Sequence, residues 1–190
     1  MSLWGNDIKP KNLTTAEKKE VFANTKGWVR EAGSVLSGNG NTSADPEVLV
    51  AISNLSANMG AANITEIEFV TTSFDKSDGG NIDVRVRFNE PVTVTGTPRV
   101  SITNGNQGSG SGRGPHLANY LSGSTTNELL FRCTIAAANA ATNANDVLVI
   151  GANATALNSG TIKDTGEGTE ATITNSAGIG TAAGSITVAA

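Results

Sequence analysis

The residues of this 190-residue chain best suited to chemistry are carboxylates set in strand-like or turn-like stretches. FNEPVTVTG, residues 88–96, holds Glu90 beside Pro91 in an alternating run. A carboxylate on a rigid strand serves acid–base catalysis when a second one stands near it. The candidate pairs are Glu66/Glu68, Asp75/Asp78 and Glu167/Glu170. The first pair shares a strand face and reads as solvated, while the other two lie in turns. FDKSDGGN, with Asp75, Asp78 and Asn81, offers hard oxygen ligands of the kind calcium takes. It lacks the EF-hand spacing and reads as an Asx-type hairpin turn. KDTGEG, with Asp164 and Glu167, reads the same way.

None of these groups converges with a nucleophile or a metal-ligand set. His116 is the only histidine and Cys133 the only cysteine, which argues against zinc sites and Cys–His pairs. His116 reads as part of a long glycine-rich loop, and Cys133 as a buried structural residue at an alternating position. GNGN and GSGSGRG match no phosphate-cradling loop, and no GxSxG is present. Glu90 therefore reads as a charge that discourages edge-to-edge pairing, beside a proline suited to an edge, a bulge or a strand start. No catalytic residue, cofactor or metal is expected.

The elements that would hold these residues are short strands. The chain has 22 Gly and only 4% aromatics. After residue 31 it is thin in helix formers and rich in Val, Ile and Thr between polar turns. NIDVRVRF alternates cleanly, with Ile82, Val84, Val86 and Phe88 against Asp83, Arg85 and Arg87. ITEIEFV alternates imperfectly. About seven to nine strands follow from Ile64 onward, with one face buried and one solvated. Gly96 and Pro98 should bend the chain between two of them. TNGNQGSGSGRGPHLANY should be a mobile excursion.

The first 58 residues differ. MSLWGNDIKPKN reads as an extended arm. LTTAEKKEVFANTKGW reads as a short helix with a Thr14/Glu17 capping box, ended by Gly27. GWVREAGSV and PEVLVAIS read as a small hairpin around a polar loop, and LSANMGAAN, residues 55–63, as a linker. Such a segment buries little by itself. Trp4, Lys11, Val21, Phe22 and Trp28 are therefore the expected docking residues, since tryptophan is a favoured interface anchor.

Two resemblances sharpen this reading. FNEPVTVTGTPRV (88–100), ANYLSGS (118–124), LLFRCTI (129–135), DVLVI (146–150), ALNSGTIKD (156–164) and ATIT (171–174) follow in the order and spacing of a bacterial immunoglobulin-like repeat. That repeat occurs in large adhesin-type surface proteins, and the resemblance covers about two thirds of the chain. Two turns depart from it, AAANAATNAN and TGEGTE. MSLWGN, PKNLTTAEKKEVFANTKGWV and EVLVAISNL together resemble the openings of virion structural proteins of T4-like marine bacteriophages, notably cyanophages.

The resemblances imply an all-β protein. An immunoglobulin-like antiparallel sandwich over 64–190 would follow an N-terminal docking segment, 1–58. They imply a non-enzymatic virion protein, first a capsid decoration protein. Neck, tail or fibre attachment, or an adhesive or glycan-binding module, is the alternative. Expected partners are the major capsid protein or other virion proteins, further copies of the chain, and host surface glycans. The net charge of −4 and the lack of a basic patch argue against nucleic acid. No apolar run is long enough to span a bilayer, and the first residues lack a secretory h-region. The expected location is the particle surface, after synthesis in a host cytoplasm.

Overall fold

The alternation of Ile82, Val84, Val86 and Phe88 builds the longest strand of the protein, and all four side chains are fully buried. The structure is a computed structural model that describes residues 20–24, 27–30, 32–33, 41, 43, 47–51, 61–105, 115–139 and 142–190. It is an all-β fold. The strands are β1 (Val21–Asn24), β2 (Gly27–Arg30), β3 (Glu47–Ala51), β4 (Ile64–Phe69), β5 (Phe74–Asp75), β6 (Gly80–Thr95), β7 (Arg99–Gly105), β8 (His116–Ser122), β9 (Thr126–Ile135), β10 (Val147–Ala156), β11 (Thr161–Asp164) and β12 (Ser185–Ala189). A short helix, α1 (Ala177–Ala182), precedes β12.

β1, β2 and β3 form a three-stranded antiparallel sheet. The other nine form one sheet in the order β11-β6-β9-β8-β7-β10-β12-β5. β4 shares the β11 side of β6, pairing with its first half while β11 pairs with its last four residues. All pairs are antiparallel except β12 with β5. The sheet curls so that Phe69 and Phe74 share one core with Ile186 and Val188.

Among the bulges of the described strands, those in β4 and β6 explain where strict alternation fails in ITEIEFV and FNEP. In β4, Ile64 pairs with Phe88 but Glu66 pairs with Arg87, so one extra residue stands in β4. That slip turns both Ile64 and Ile67 inward, which is why ITEIEFV alternates imperfectly. In β6, Arg87 pairs with Glu128 and Val92 with Thr126, so residues 88–91 stand against Asn127 alone. Phe88, Asn89 and Glu90 are consecutive and all buried, which a regular strand with one solvated face does not allow. Pro91, lacking an N–H, occupies this break in the ladder. Gly96 makes the bend at the end of β6 with φ +69°, and a Cβ there would lie 2.8 Å from Gly160 Cα.

Three expectations are corrected. Glu20 is helical, but Val21–Asn24 is a strand, so the helix does not run to Gly27; residues 13–19 lie outside those described. Val21 and Phe22 have strand-favouring side chains, and pairing with β2 overrides the local Lys/Glu helix preference. His116 is the first residue of β8 rather than part of a loop, with Nε2 3.0 Å from Thr142 Oγ1. Ala62, expected in a linker, is fully buried, and Asn63 bridges to Thr172.

Candidate functional site

The expected docking residues fall in different places. Trp4 and Lys11 lie outside the described residues, as does the side chain of Phe22. Val21 and Trp28 are covered by the chain itself, at 1% and 6% exposure. Val29, next to Trp28, is fully buried too. Neighbouring strand residues point to opposite faces, so the central strand β2 is covered on both sides. β1 also lies against β6 of the large sheet.

The outer strand β3 is the opposite case. Val48 and Leu49 are consecutive and exposed at 43% and 36%. Leu49 is the extra residue of a bulge, since Val48 pairs with Val29 and Val50 with Trp28, and among the described residues β3 pairs only with β2. These two residues were missed as docking candidates. The unbroken apolar run VLVAI in PEVLVAIS was the signal.

The solvent-side face of β4, β6 and β9 carries charges, as the alternation predicts. Arg132 grips Asp83 through two bonds of 2.7 Å. Arg87 Nη1 bonds Glu66 Oε2 at 2.9 Å, and its Nε bonds Glu128. Arg85 Nη1 bonds Glu68 Oε1 at 3.1 Å. Glu66 and Glu68 do share a face, but Glu68 is buried and Glu66 keeps only a small part of its side chain in solvent. They are enclosed in this network, with Arg87 2% and Glu68 6% exposed. A depression of about 270 Å³ beside it is lined by Arg85, Glu128, Ser122 and Gly123.

The turn carboxylates behave as Asx turns. Asp75 Oδ1 accepts from the Ser77 N–H and hydroxyl, which holds its carboxyl below the usual range. Asp164 Oδ1 accepts from the N–H groups of Gly166 and Glu167 at 2.7 and 2.9 Å. Glu90 contradicts the reading of it as an edge charge, because it is 1% exposed. The β6 bulge turns it inward, where its side chain faces that of Asp164. Burial, then the charges of Asp164 and Glu167, push its carboxyl up to about 7.

This pair can hold a proton, but its burial keeps it from reaching a substrate. Cys133 is half-buried, and burial pushes its thiol up, away from a reactive thiolate. Burial lowers the imidazole of His116. Among the described residues no three His, Cys, Asp or Glu side chains are grouped to hold a metal, and no helix is long and apolar enough to cross a membrane.

No protein-family profile, curated protein or solved structure matches this chain.

Proposed function

We propose that the protein is a non-enzymatic structural component of a phage particle. In this reading it is a capsid decoration protein that docks through its N-terminal segment and presents an immunoglobulin-like β body outward. The observation that carries the reading is β3. An outer strand that leaves two consecutive apolar residues, Val48 and Leu49, uncovered next to a central strand whose Trp28 and Val29 are buried is a surface suited to completion by another chain. The resemblance of residues 1–55 to phage virion openings supplies the kind of chain, a capsid or other virion protein. A repeated lattice multiplies a weak contact into stable attachment. The large curled sheet supports the immunoglobulin-like reading of the body. The burial of Glu90 and Asp164 supports the non-enzymatic one.

A second reading, an adhesive module or a neck, tail or fibre protein, is favoured by Leu117 and Leu121. Both are exposed on one face of β8, at 38% and 46%.

The docking test uses the full chain with both exposed β3 residues made acidic, Val48→Asp and Leu49→Asp. Wild type should co-sediment with heads lacking it, and the variant should stay in the supernatant while keeping the wild-type circular dichroism spectrum. Equal sedimentation of both proteins would reject β3 as the docking strand. Wild type that binds tails but not heads would move the protein to the second reading.

A further inference from the structure

The FNEP bulge and the turn after β11 bring two acidic side chains together, and among the described residues no lysine or arginine acts on Glu90. Asp164 ends β11 opposite Val92, and the Thr165 N–H bonds Pro91 O at 3.0 Å. The turn therefore lies directly against the bulge. Glu90 and Asp164 are 1% and 3% exposed. Asp164 Oδ1 is occupied by two backbone N–H groups, but Oδ2 is buried and has no donor while both carboxyls are ionised. A buried acceptor left without a donor is costly, and two buried like charges in contact more so. One proton on Glu90 removes both costs, because the carboxylic acid then donates to Asp164.

Among the described residues the surroundings offer no substitute for that proton. Glu167 in the turn adds negative charge. Lys163 points to the other face of β11 and pairs with Glu170 at 3.2 Å. Across the bulge β9 presents neutral Asn127, with a buried Nδ2 that has no partner. Within β6, Asn89 Nδ2 gives Glu90 Oε1 a contact of 3.3 Å, and Asn89 is otherwise tied to neutral Asn63.

We propose that Glu90 and Asp164 share a single proton and form a pH-sensitive clasp between the β6 bulge and the β11 turn. The inference is independent of the virion reading, since it concerns the stability of the body alone. The sign follows from linkage. Glu90 is raised from 4.5 to about 7 in the folded chain. The folded state therefore binds more protons than the unfolded one between those values, and stability falls as pH rises through that window. Above it the clasp is open, with both groups charged.

The experiment is urea unfolding of the full-length protein from pH 5 to 9, for wild type and for Glu90→Gln, whose amide is a permanent donor to Asp164. The wild-type unfolding constant should rise by up to about tenfold per pH unit toward pH 7 and then level. Glu90→Gln should remove that rise. Asp164→Asn, which puts the donor on the other partner, serves if the first variant does not fold. Carboxyl-carbon NMR of the folded wild type should show one side chain titrating near neutrality. Equal slopes in wild type and variant, or no carboxyl titrating above pH 6, would overturn the proposal. So would stabilisation by calcium at pH 8 that Glu90→Gln abolishes, since a metal ion would then hold the pair.

Discussion

Arg87 shows how much a single charged side chain can be asked to do. It stands on the outward face of β6, yet it is 2% exposed because Glu66 and Glu68 of β4 and Glu128 of β9 close around it. Burying a guanidinium is unfavourable unless its donors are all met, and here they meet three carboxylates. Replacing it with methionine keeps the length of the side chain but leaves those carboxylates facing one another. Glu66 and Glu128 keep 14% and 23% exposure, so solvent relieves part of the repulsion. Arg87→Met should cost about 2–3 kcal/mol, under the roughly 3–5 of a fully buried pair. Adding Glu66→Gln and Glu128→Gln should recover part of the loss. Urea midpoints measure this, and a change below about 0.5 kcal/mol would show the network to be screened. The sequence showed the face on which Arg87 lies but not its burial. Nothing in RVRF says which neighbouring strand will cover a charge.

At the scale of elements the bulges decide the outcome. The run from Ile82 to Phe88 was legible because two-residue alternation is a local property. FNEP was harder to read. Its proline was compatible with a bulge, but the inward turn of Glu90 depends on β9 supplying one residue against four. β10 contains the same device. Ile150 pairs with Ile102 and Thr155 with Val100, so residues 151–154 stand against Ser101. Here a buried asparagine closes the gap. Asn175 Oδ1 accepts from the Ala154 N–H at 2.9 Å, and its Nδ2 donates to Gly151 O at 2.9 Å and Ser176 O at 3.1 Å. Asn175→Ala removes all three bonds and leaves a buried N–H without a partner. The expected cost is about 2–4 kcal/mol, from one orphaned donor and two lost bonds. A thermal melt and hydrogen exchange at Ala154 check it, and an unchanged exchange rate there would count against the plug. α1 follows directly, with Ser176 as its N-cap accepting from the Ile179 N–H. AGIGTA hides that helix in sequence, since it has a cap but almost no apolar stripe.

The whole molecule depends on contacts between residues far apart in the chain. One core joins Ala62 to Val188, β12 pairs with β5, and Asn63 bridges to Thr172. Strand order of this kind cannot be read from local patterns, because each strand is equally content beside several partners. The same closure makes the last strand indispensable. Ile186 and Val188 are 2% and 1% exposed, and each fully buried aliphatic side chain stabilises by about 1.5–3 kcal/mol. Removing residues 185–190 discards both, leaves β10 without its β12 neighbour, and opens the core at Phe74. The loss of about 3–6 kcal/mol from the two side chains alone is comparable to the roughly 5–15 kcal/mol that holds a domain of this size together. The truncated chain should therefore lose its cooperative melt near room temperature. The point variant Val188→Ala, which keeps the strand and its backbone pairing, should stay folded with a lowered midpoint. If the truncated chain melts within a few degrees of the full one, β12 is only an edge strand laid on a finished body, and the curled sheet does not depend on its own closure.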